Sequence, residues 1–141
     1  MLSSNARPPS SIAQLEKDFA AIIMNSRDGD GSGLTTSRTV TRHTFTFIDG
    51  SRLYITEELS GGIIDVSYYN WVDQDGEDIL KFHSDPHERD NRYQTATEPH
   101  HVHPPEGARL TNRTRYPNFH HQELHTIMEH IFFFSYCCQK N

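Results

Sequence analysis

The feature that most constrains the fold of this sequence is a run of alternating apolar and polar residues, interrupted by short turn sequences, between residues 39 and 82. The segment TVTRHTFTFIDG alternates aromatic residues with threonines and ends at the turn dipeptide Asp49-Gly50. SRLYITEEL, GGIIDVSYYNWV and DQDGEDILKF follow it, and the last contains a second turn dipeptide, Asp75-Gly76. A period of two between Asp-Gly turns is typical of hairpins. The sequence therefore predicts a meander of four antiparallel strands.

Two segments that flank the meander have helical spacing instead. Residues 11–25 carry apolar side chains on one helical face, and Ser10 or Ser11 can serve as the N-cap. Residues 118–134, NFHHQELHTIMEHIFFF, show the same spacing after a possible cap at Asn118. We predict an α+β fold in which an N-terminal and a C-terminal helix pack on one face of a four-stranded antiparallel sheet.

The remaining segments are polar and lack a clear period. Only 34% of the residues are hydrophobic, against about 45–50% in typical globular domains. We predict a single domain over residues 1–141, with flexible residues 1–10 and a flexible linker at about residues 25–38. Residues 85–119 contain five of the seven prolines, which predicts a long His- and Pro-rich loop.

Charge limits the partners that the chain can bind. A formal net charge of -6 argues against a broad basic surface for nucleic acid. One stretch differs, because residues 89–115 contain five arginines, three acidic residues and three histidines. An anionic ligand would be favoured there.

The cysteines and the apolar runs bear on the cellular compartment. Cys137 and Cys138 are adjacent, and adjacent cysteines rarely form a disulfide. The N-terminus lacks the pattern of a signal peptide, and the longest apolar run, IFFFSYCC from Ile131, is too short to span a bilayer. We expect a reduced, cytoplasmic protein that does not associate with membranes.

Several histidines lie close together in EPHHVHPPE, residues 98–106, with His87 upstream. Because imidazole titrates near neutral pH, His100, His101 and His103 could act as general acid and base. Alternate residues of an extended strand share a side, so His101 and His103 could instead bind one metal ion. A solvated loop is the third interpretation, and all three stay open at this point.

Two further groups of residues are weaker candidates. His121 and His125 are four residues apart on the predicted helix, a metal-binding spacing, although Gln122 stands where the HExxH motif has its glutamate. Tyr69 and Trp71 share one face of a predicted strand, which is more typical of a core than of a platform for bases. No phosphate-binding or dinucleotide-binding glycine motif is present, and we expect no cofactor.

Several segments of the chain, taken together, resemble a known family. SRLYITEEL, DVSYYNWVDQDGEDILKFHSDPH and PHHVH are similar to the TumE-like toxins of bacterial toxin–antitoxin modules. That family has a Leu-x-[Val/Ile]-x-Glu strand, a Tyr-x-Trp-x-Asp-x-x-Gly hairpin, a Pro-His pair and a Pro-His-His-x-His segment. The resemblance covers about residues 51–106 and is most specific at Tyr69, Trp71, Asp73, Gly76, Pro86, His87, Pro99, His100, His101 and His103.

One part of the family pattern is different here. The family often has Arg-[Trp/Tyr]-Asp-Asn before its Pro-His pair, whereas this chain has KFHSDPH. If the family arginine is catalytic, Lys81 or Arg89 has to replace it.

The resemblance implies a toxin that acts on RNA or on translation and that a cognate antitoxin protein neutralises. The residues themselves fit metal-independent RNA cleavage. One imidazole would act as the base, another as the acid, and an arginine would stabilise the charged intermediate. The predicted function is an endoribonuclease with an RNA substrate. Its predicted catalytic residues are His87, His100, His101 and His103, and its predicted substrate-binding residues are Arg89, Arg92, Arg109, Tyr69 and Trp71.

Two alternatives belong to other functional classes. The first is a metal-dependent hydrolase or metal-binding module, with His87, His101 and His103 as ligands and His121 or His125 as an optional further ligand. The second is a non-catalytic interaction module that docks a partner through the phenylalanines after Ile131, which cannot all face one core. An antitoxin or a second copy of the chain could cover that surface, and we expect a homodimer.

Overall fold

The computed structural model describes residues 7–84, 100–103, 116–117 and 123–137, with side chains for 7–84 and 123–134. Within these described residues, two helices and seven strands follow one another in the order α1 Ile12–Asp18, β1 Ile23–Asp28, β2 Val40–Phe47, β3 Arg52–Ser60, β4 Ile63–Val72, β5 Asp78–Ser84, β6 His100–His103, β7 Tyr116–Pro117 and α2 Leu124–Cys137.

The strands form one antiparallel sheet in which spatial order follows chain order, from β1 to β7. The predicted meander corresponds to β2–β5, so the α+β class and the antiparallel sheet are confirmed. The predicted number of four strands is wrong, because β1 adds a fifth long strand at one edge. The short strands β6 and β7 extend the other edge.

The N-terminal helix is shorter than predicted. Ser11 is its cap, with Gln14 N donating to Ser11 Oγ at 3.2 Å, but α1 ends at Asp18 rather than near residue 25. Residues 23–28, predicted as helix and linker, instead pair with β2 from Ile23 opposite Phe47 to Asp28 opposite His43. Helical spacing alone did not locate the end of α1. Residues 22 and 23 are both apolar, and such a pair is compatible with a continued helix as well as with a turn that leads into a strand.

The core lies between the sheet and both helices, on one face of the sheet, as predicted. Alternate residues of β2–β5 point to this side, and apolar residues of α1, α2 and the turn after α1 cover them. The buried cluster consists of Leu15, Phe19, Ile22, Phe45, Phe47, Leu53, Ile55, Tyr69, Trp71, Phe82, Leu124, Ile127, Met128 and Ile131. Burying one large apolar side chain fully stabilises a fold by about 1.5–3 kcal/mol.

Short turns set the register of the hairpins. Gly61 and Gly62 have φ of 60° and 79°, the left-handed geometry of the two-residue turn that joins β3 to β4. At the predicted Asp-Gly turn after β4, the Asp73 carboxylate accepts from Asp75 N and Glu77 N, each at 2.9 Å.

The predicted His- and Pro-rich loop is not confirmed. Residues 100–103 of that segment form β6, and residues 85–99 and 104–115 lie outside the described residues, as do residues 1–6. In the described part of the chain, neither helix has the length and apolar character needed to cross a membrane.

Candidate functional site

The histidine-rich segment forms the strand next to β5. In the register of this pair, His103 lies opposite Lys81, Val102 opposite Phe82, His101 opposite His83 and His100 opposite Ser84. Residues directly opposite each other in an antiparallel pair belong to the same face of the sheet. Phe82 and Ser84 are buried on the face that the helices cover. Positions 101 and 103 therefore belong, with Lys81 and His83, to the other face, which neither of the described helices covers and which we call the open face.

The same register continues into β4. Tyr68 lies opposite His83, and Asn70 lies opposite Lys81. Six positions on three neighbouring strands thus form two parallel rows across the open face: Tyr68, His83 and His101, and Asn70, Lys81 and His103. We call these six positions the open-face grid. Neighbouring strands are about 4.8 Å apart, so the positions in each row are near neighbours.

The grid side chains of β4 and β5 contact one another. His83 Nε2 lies 3.1 Å from Asn70 Oδ1. Because an amide oxygen only accepts, this contact is a hydrogen bond when His83 carries its proton on Nε2. The rings of Tyr68 and His83 meet edge to face at a centroid distance of 5.1 Å, and Lys81 Nζ lies 3.1 Å from an oxygen of Asp78. Asn70 and Tyr68 thereby orient the His83 imidazole.

Tyr69 and Trp71, predicted as substrate contacts, lie on the opposite side of β4. Each is only 1% exposed. The Tyr69 hydroxyl donates to Glu57 Oε2 at 2.6 Å, and Trp71 Nε1 donates to Ser51 Oγ at 3.2 Å. Burial, reinforced by the Glu57 carboxylate, raises the pKa of the Tyr69 hydroxyl above its ordinary value of 10.0. Both rings belong to the core and are not available to stack on a ligand.

Glu57 is a buried carboxylate that the sequence reasoning did not single out. It is 0% exposed and accepts from Ser10 N at 3.0 Å and from Ser10 Oγ at 2.5 Å, as well as from Tyr69. Nearby, Arg7 donates to Ser67 Oγ at 3.3 Å. The signal was present in the sequence, because Glu57 follows Leu53 and Ile55 at alternate positions. These contacts fasten residues 7–10 to the sheet.

A glycine-rich loop, residues 29–35, covers the open face beside the grid. A Cβ at Gly31, whose φ is +85°, would lie 3.0 Å from the Tyr54 ring, so only glycine allows this approach. Thr44 is 1% exposed and donates to the carbonyl of Gly29 at 2.7 Å. Tyr54 lies opposite Asn70, so the residue that the loop contacts is next to the grid.

A cavity of about 320 Å³ lies elsewhere, between residues 7–11, α1 and the start of α2. None of the grid residues lines it. His125, one of its lining residues, was predicted as half of a metal pair with His121. Its imidazole lies 3.0 Å from Glu129 and 3.6 Å from Asp18, and His121 lies outside the described residues. Among the described side chains, no group of three or more His, Cys, Asp or Glu residues could hold a metal ion.

The predicted apolar patch on α2 is partly exposed. Ile131 is buried, whereas Phe133 and Phe134 are 67% and 47% exposed. The expectation that the phenylalanines cannot all face one core is confirmed.

The predicted catalytic residues are only partly brought together. His101 and His103 share the open-face grid by register, while His100 occupies the alternate register position, opposite Ser84. His87, Arg89, Arg92 and Arg109 lie outside the described residues. The sequence reasoning missed Tyr68, Asn70 and His83 as site members. The alternation that assigns Tyr69 and Trp71 to one face places Tyr68 and Asn70 on the other.

One known protein family matches most of the chain. The family model for the toxin TumE matches residues 8–132, from the segment before α1 into α2. No curated protein and no solved structure matches the chain. Since the family is one of toxins, an antitoxin is the implied partner. The protein, with its sheet, its first helix and the first part of its second helix inside the matched range, belongs to the TumE toxin family.

Proposed function

We propose that this toxin is a metal-independent endoribonuclease whose reaction takes place at the open-face grid. The supporting observation is the register of β4, β5 and β6, which makes His83 a neighbour of position 101 and Lys81 a neighbour of position 103. Three imidazole-bearing residues and one cation thus occupy adjacent positions on one face of the sheet. This is the residue chemistry that RNA transesterification requires.

His101 and His103 supply the base and the acid in this proposal. One imidazole removes the proton of a ribose 2′-hydroxyl, and the oxygen attacks the adjacent phosphorus. The bond from phosphorus to the 5′-oxygen breaks, and the second imidazole protonates that oxygen. The products are a 2′,3′-cyclic phosphate and a 5′-hydroxyl.

Lys81 and His83 support the reaction. The Lys81 ammonium, already 3.1 Å from Asp78, stabilises the negative charge that develops on the phosphoryl oxygens. Asn70 holds the His83 ring beside position 101. The predicted contributions of His87 to catalysis and of Arg89, Arg92 and Arg109 to binding of flanking phosphates remain part of this proposal.

The test is cleavage of single-stranded RNA in EDTA. His101→Ala lowers the rate by about two to four orders of magnitude, because it removes a general acid or base. His125→Ala is the matched control, since this histidine lies on α2, on the other side of the sheet, with half of its side chain exposed. Cleavage by His101→Ala at the wild-type rate would remove His101 from the mechanism.

The pH dependence separates this function from the metal alternative. An acid–base pair of histidines gives a rate maximum near pH 6.5, the ordinary imidazole pKa. Saturating RNA moves the maximum to higher pH, because the bound phosphate favours the protonated imidazoles. A metal-bound water gives a plateau at high pH instead, and chelator abolishes it. A chelator-sensitive plateau would favour the metal-dependent hydrolase.

The expected homodimer is a separate proposal. The exposed rings of Phe133 and Phe134 support it, since a second copy or an antitoxin would remove them from water. Sedimentation of the purified toxin over a concentration series tests it, and a monomer at every concentration would contradict it.

A further inference from the structure

The cavity between residues 7–11, α1 and the start of α2, which we call the helix-side cavity, is separate from the open-face grid. Its volume of about 320 Å³ is near the lower limit for small-molecule sites, which range from about 300 to 1,000 Å³. A large apolar side chain of a partner protein suits such a space better than a whole cofactor does. The apolar part of the lining is Pro8, Pro9, Leu15, Ile64 and Leu124.

The mouth of the helix-side cavity is open to solvent. Pro8, Pro9 and Gln14 are exposed lining residues on the side of residues 7–11 and α1. Glu123 and His125 are exposed lining residues at the start of α2, and half of the His125 side chain is exposed. A partner can therefore reach the apolar lining without a rearrangement of either helix.

The edge of the mouth where α1 meets α2 is acidic. Glu123 lines the cavity there. The imidazole of His125 lies 3.6 Å from an oxygen of Asp18 and 3.0 Å from an oxygen of Glu129. Three carboxylates thus lie around one imidazole, and this edge attracts a cation.

Positive charge in the lining lies on a different wall. Among the described lining residues, Arg7 is the one lysine or arginine, and it belongs to the wall formed by residues 7–11. Its guanidinium donates to Ser67 Oγ at 3.3 Å, on β4. Lys17, in the last turn of α1, does not line the cavity. The mouth therefore combines an apolar interior with an acidic edge at α1 and α2.

We infer that the helix-side cavity receives an apolar side chain of the antitoxin, from a segment that also carries lysine or arginine. The antitoxin is the partner that the family implies, and the formal net charge of -6 on the toxin favours a basic segment. Side chains that fill a pocket supply much of the binding energy of an interface. A basic residue beside that side chain would meet the carboxylates of the α1–α2 edge.

The experiment measures the affinity of purified toxin for its cognate antitoxin by isothermal titration calorimetry. Gln14→Trp places a large ring at the mouth and should weaken binding by about 30-fold or more, the usual loss when a dominant interface contact is removed. Ala13→Trp is the matched control, because it adds the same ring at a neighbouring exposed position that does not line the cavity. This control should bind like wild type.

A second pair of variants tests the acidic edge. Glu123→Lys should weaken binding by about 10-fold or more, because it places like charges opposite each other, and the loss should be largest at low salt. Glu16→Lys makes the same change at an exposed position of α1 that does not line the cavity. Its affinity should equal that of wild type, so that the position of the charge, rather than the net charge, explains the difference.

The outcomes separate this inference from the ribonuclease proposal, on which it does not depend. Thermal unfolding shows which variants are folded, and Glu123→Lys decides the matter if Gln14→Trp is not. Wild-type affinity in both variants, or an equal loss in their matched controls, would overturn the inference. A bound small molecule, or a toxin dimer that Gln14→Trp dissociates, would also overturn it if antitoxin affinity stayed unchanged. If the expected losses appear but wild-type toxin does not cleave RNA, the docking site stands and the ribonuclease does not.

Discussion

The two faces of strand β4 carry different kinds of residues within one stretch of sequence. Tyr69 and Trp71 point into the core, where Glu57 and Ser51 accept their hydrogen bonds. Tyr68 and Asn70, which alternate with them, lie on the open face and contact His83. The most recognisable motif residues of this hairpin are therefore structural, and the residues of the proposed site occupy the positions between them.

The rest of the hairpin motif supports this distinction. Asp73 accepts two backbone hydrogen bonds in the turn after β4, and Gly76 has a positive φ in the same turn. Glu57, the acidic residue of the preceding strand motif, binds Tyr69 across the core face. A specific motif can thus mark how a hairpin is held together rather than where a substrate binds.

The largest expected difference between the faces is in stability. Trp71→Ala removes a side chain that is 1% exposed and should lower the free energy of unfolding by about 3–5 kcal/mol. Tyr68→Ala should lower it by only about 1 kcal/mol, because its side chain is half-buried rather than fully buried. Urea denaturation measures both. Equal losses would contradict the division of β4 into a core face and an open face.

The next effect concerns activity. Lys81→Gln should lower RNA cleavage by about 100- to 1,000-fold, the usual loss when one group that stabilises transition-state charge is removed. The free energy of unfolding should change by less than about 0.5 kcal/mol. Lys17→Gln, the same substitution on the exposed side of α1, is the control for loss of positive charge. If both variants lose activity equally, general charge rather than the grid position is responsible.

A smaller effect should distinguish the hydrogen bonds on the two faces. In a double-mutant cycle, Glu57→Ala and Tyr69→Phe should couple by about 0.5–3 kcal/mol, because their bond is buried and water cannot replace either partner. The cycle of Asn70→Ala and His83→Ala should couple by less than about 0.5 kcal/mol, since that pair is only partly buried. Denaturation of the single and double variants measures each coupling, and similar values would remove the distinction.

The smallest effect is the pH dependence of stability through His43, on the helix-covered face. Burial lowers the pKa of His43 below its ordinary value of 6.5, against the opposing charges of Glu16 and Asp28. As the pH falls below about 6.5, the unfolded chain takes up a proton here before the folded chain does, so stability decreases. His43→Gln should lose less stability than wild type between pH 7.5 and pH 5.5, as measured by urea denaturation. An equal loss would show that other groups cause it.

Much of the fold could be predicted from local patterns. Alternation and Asp-Gly turns identified β2–β5, and helical spacing identified both helices and the face that they cover. The boundary between α1 and β1 could not be predicted, because it depends on hydrogen bonds from residues 23–28 to β2. Those bonds join segments that are distant in the sequence, and no local period records them.

The candidate site, like the fold, could be predicted only in part from the sequence. The sequence by itself determined that His101 and His103 share one side of an extended segment, because side chains of a strand alternate with a period of two. It also determined that Tyr68 and Tyr69 face opposite sides. Only the tertiary structure decided that β6 pairs with β5, so that position 101 lies opposite His83 and position 103 opposite Lys81. Strand pairing is a long-range choice, settled by backbone hydrogen bonds and by burial of a common face, and it brought these residues into one site.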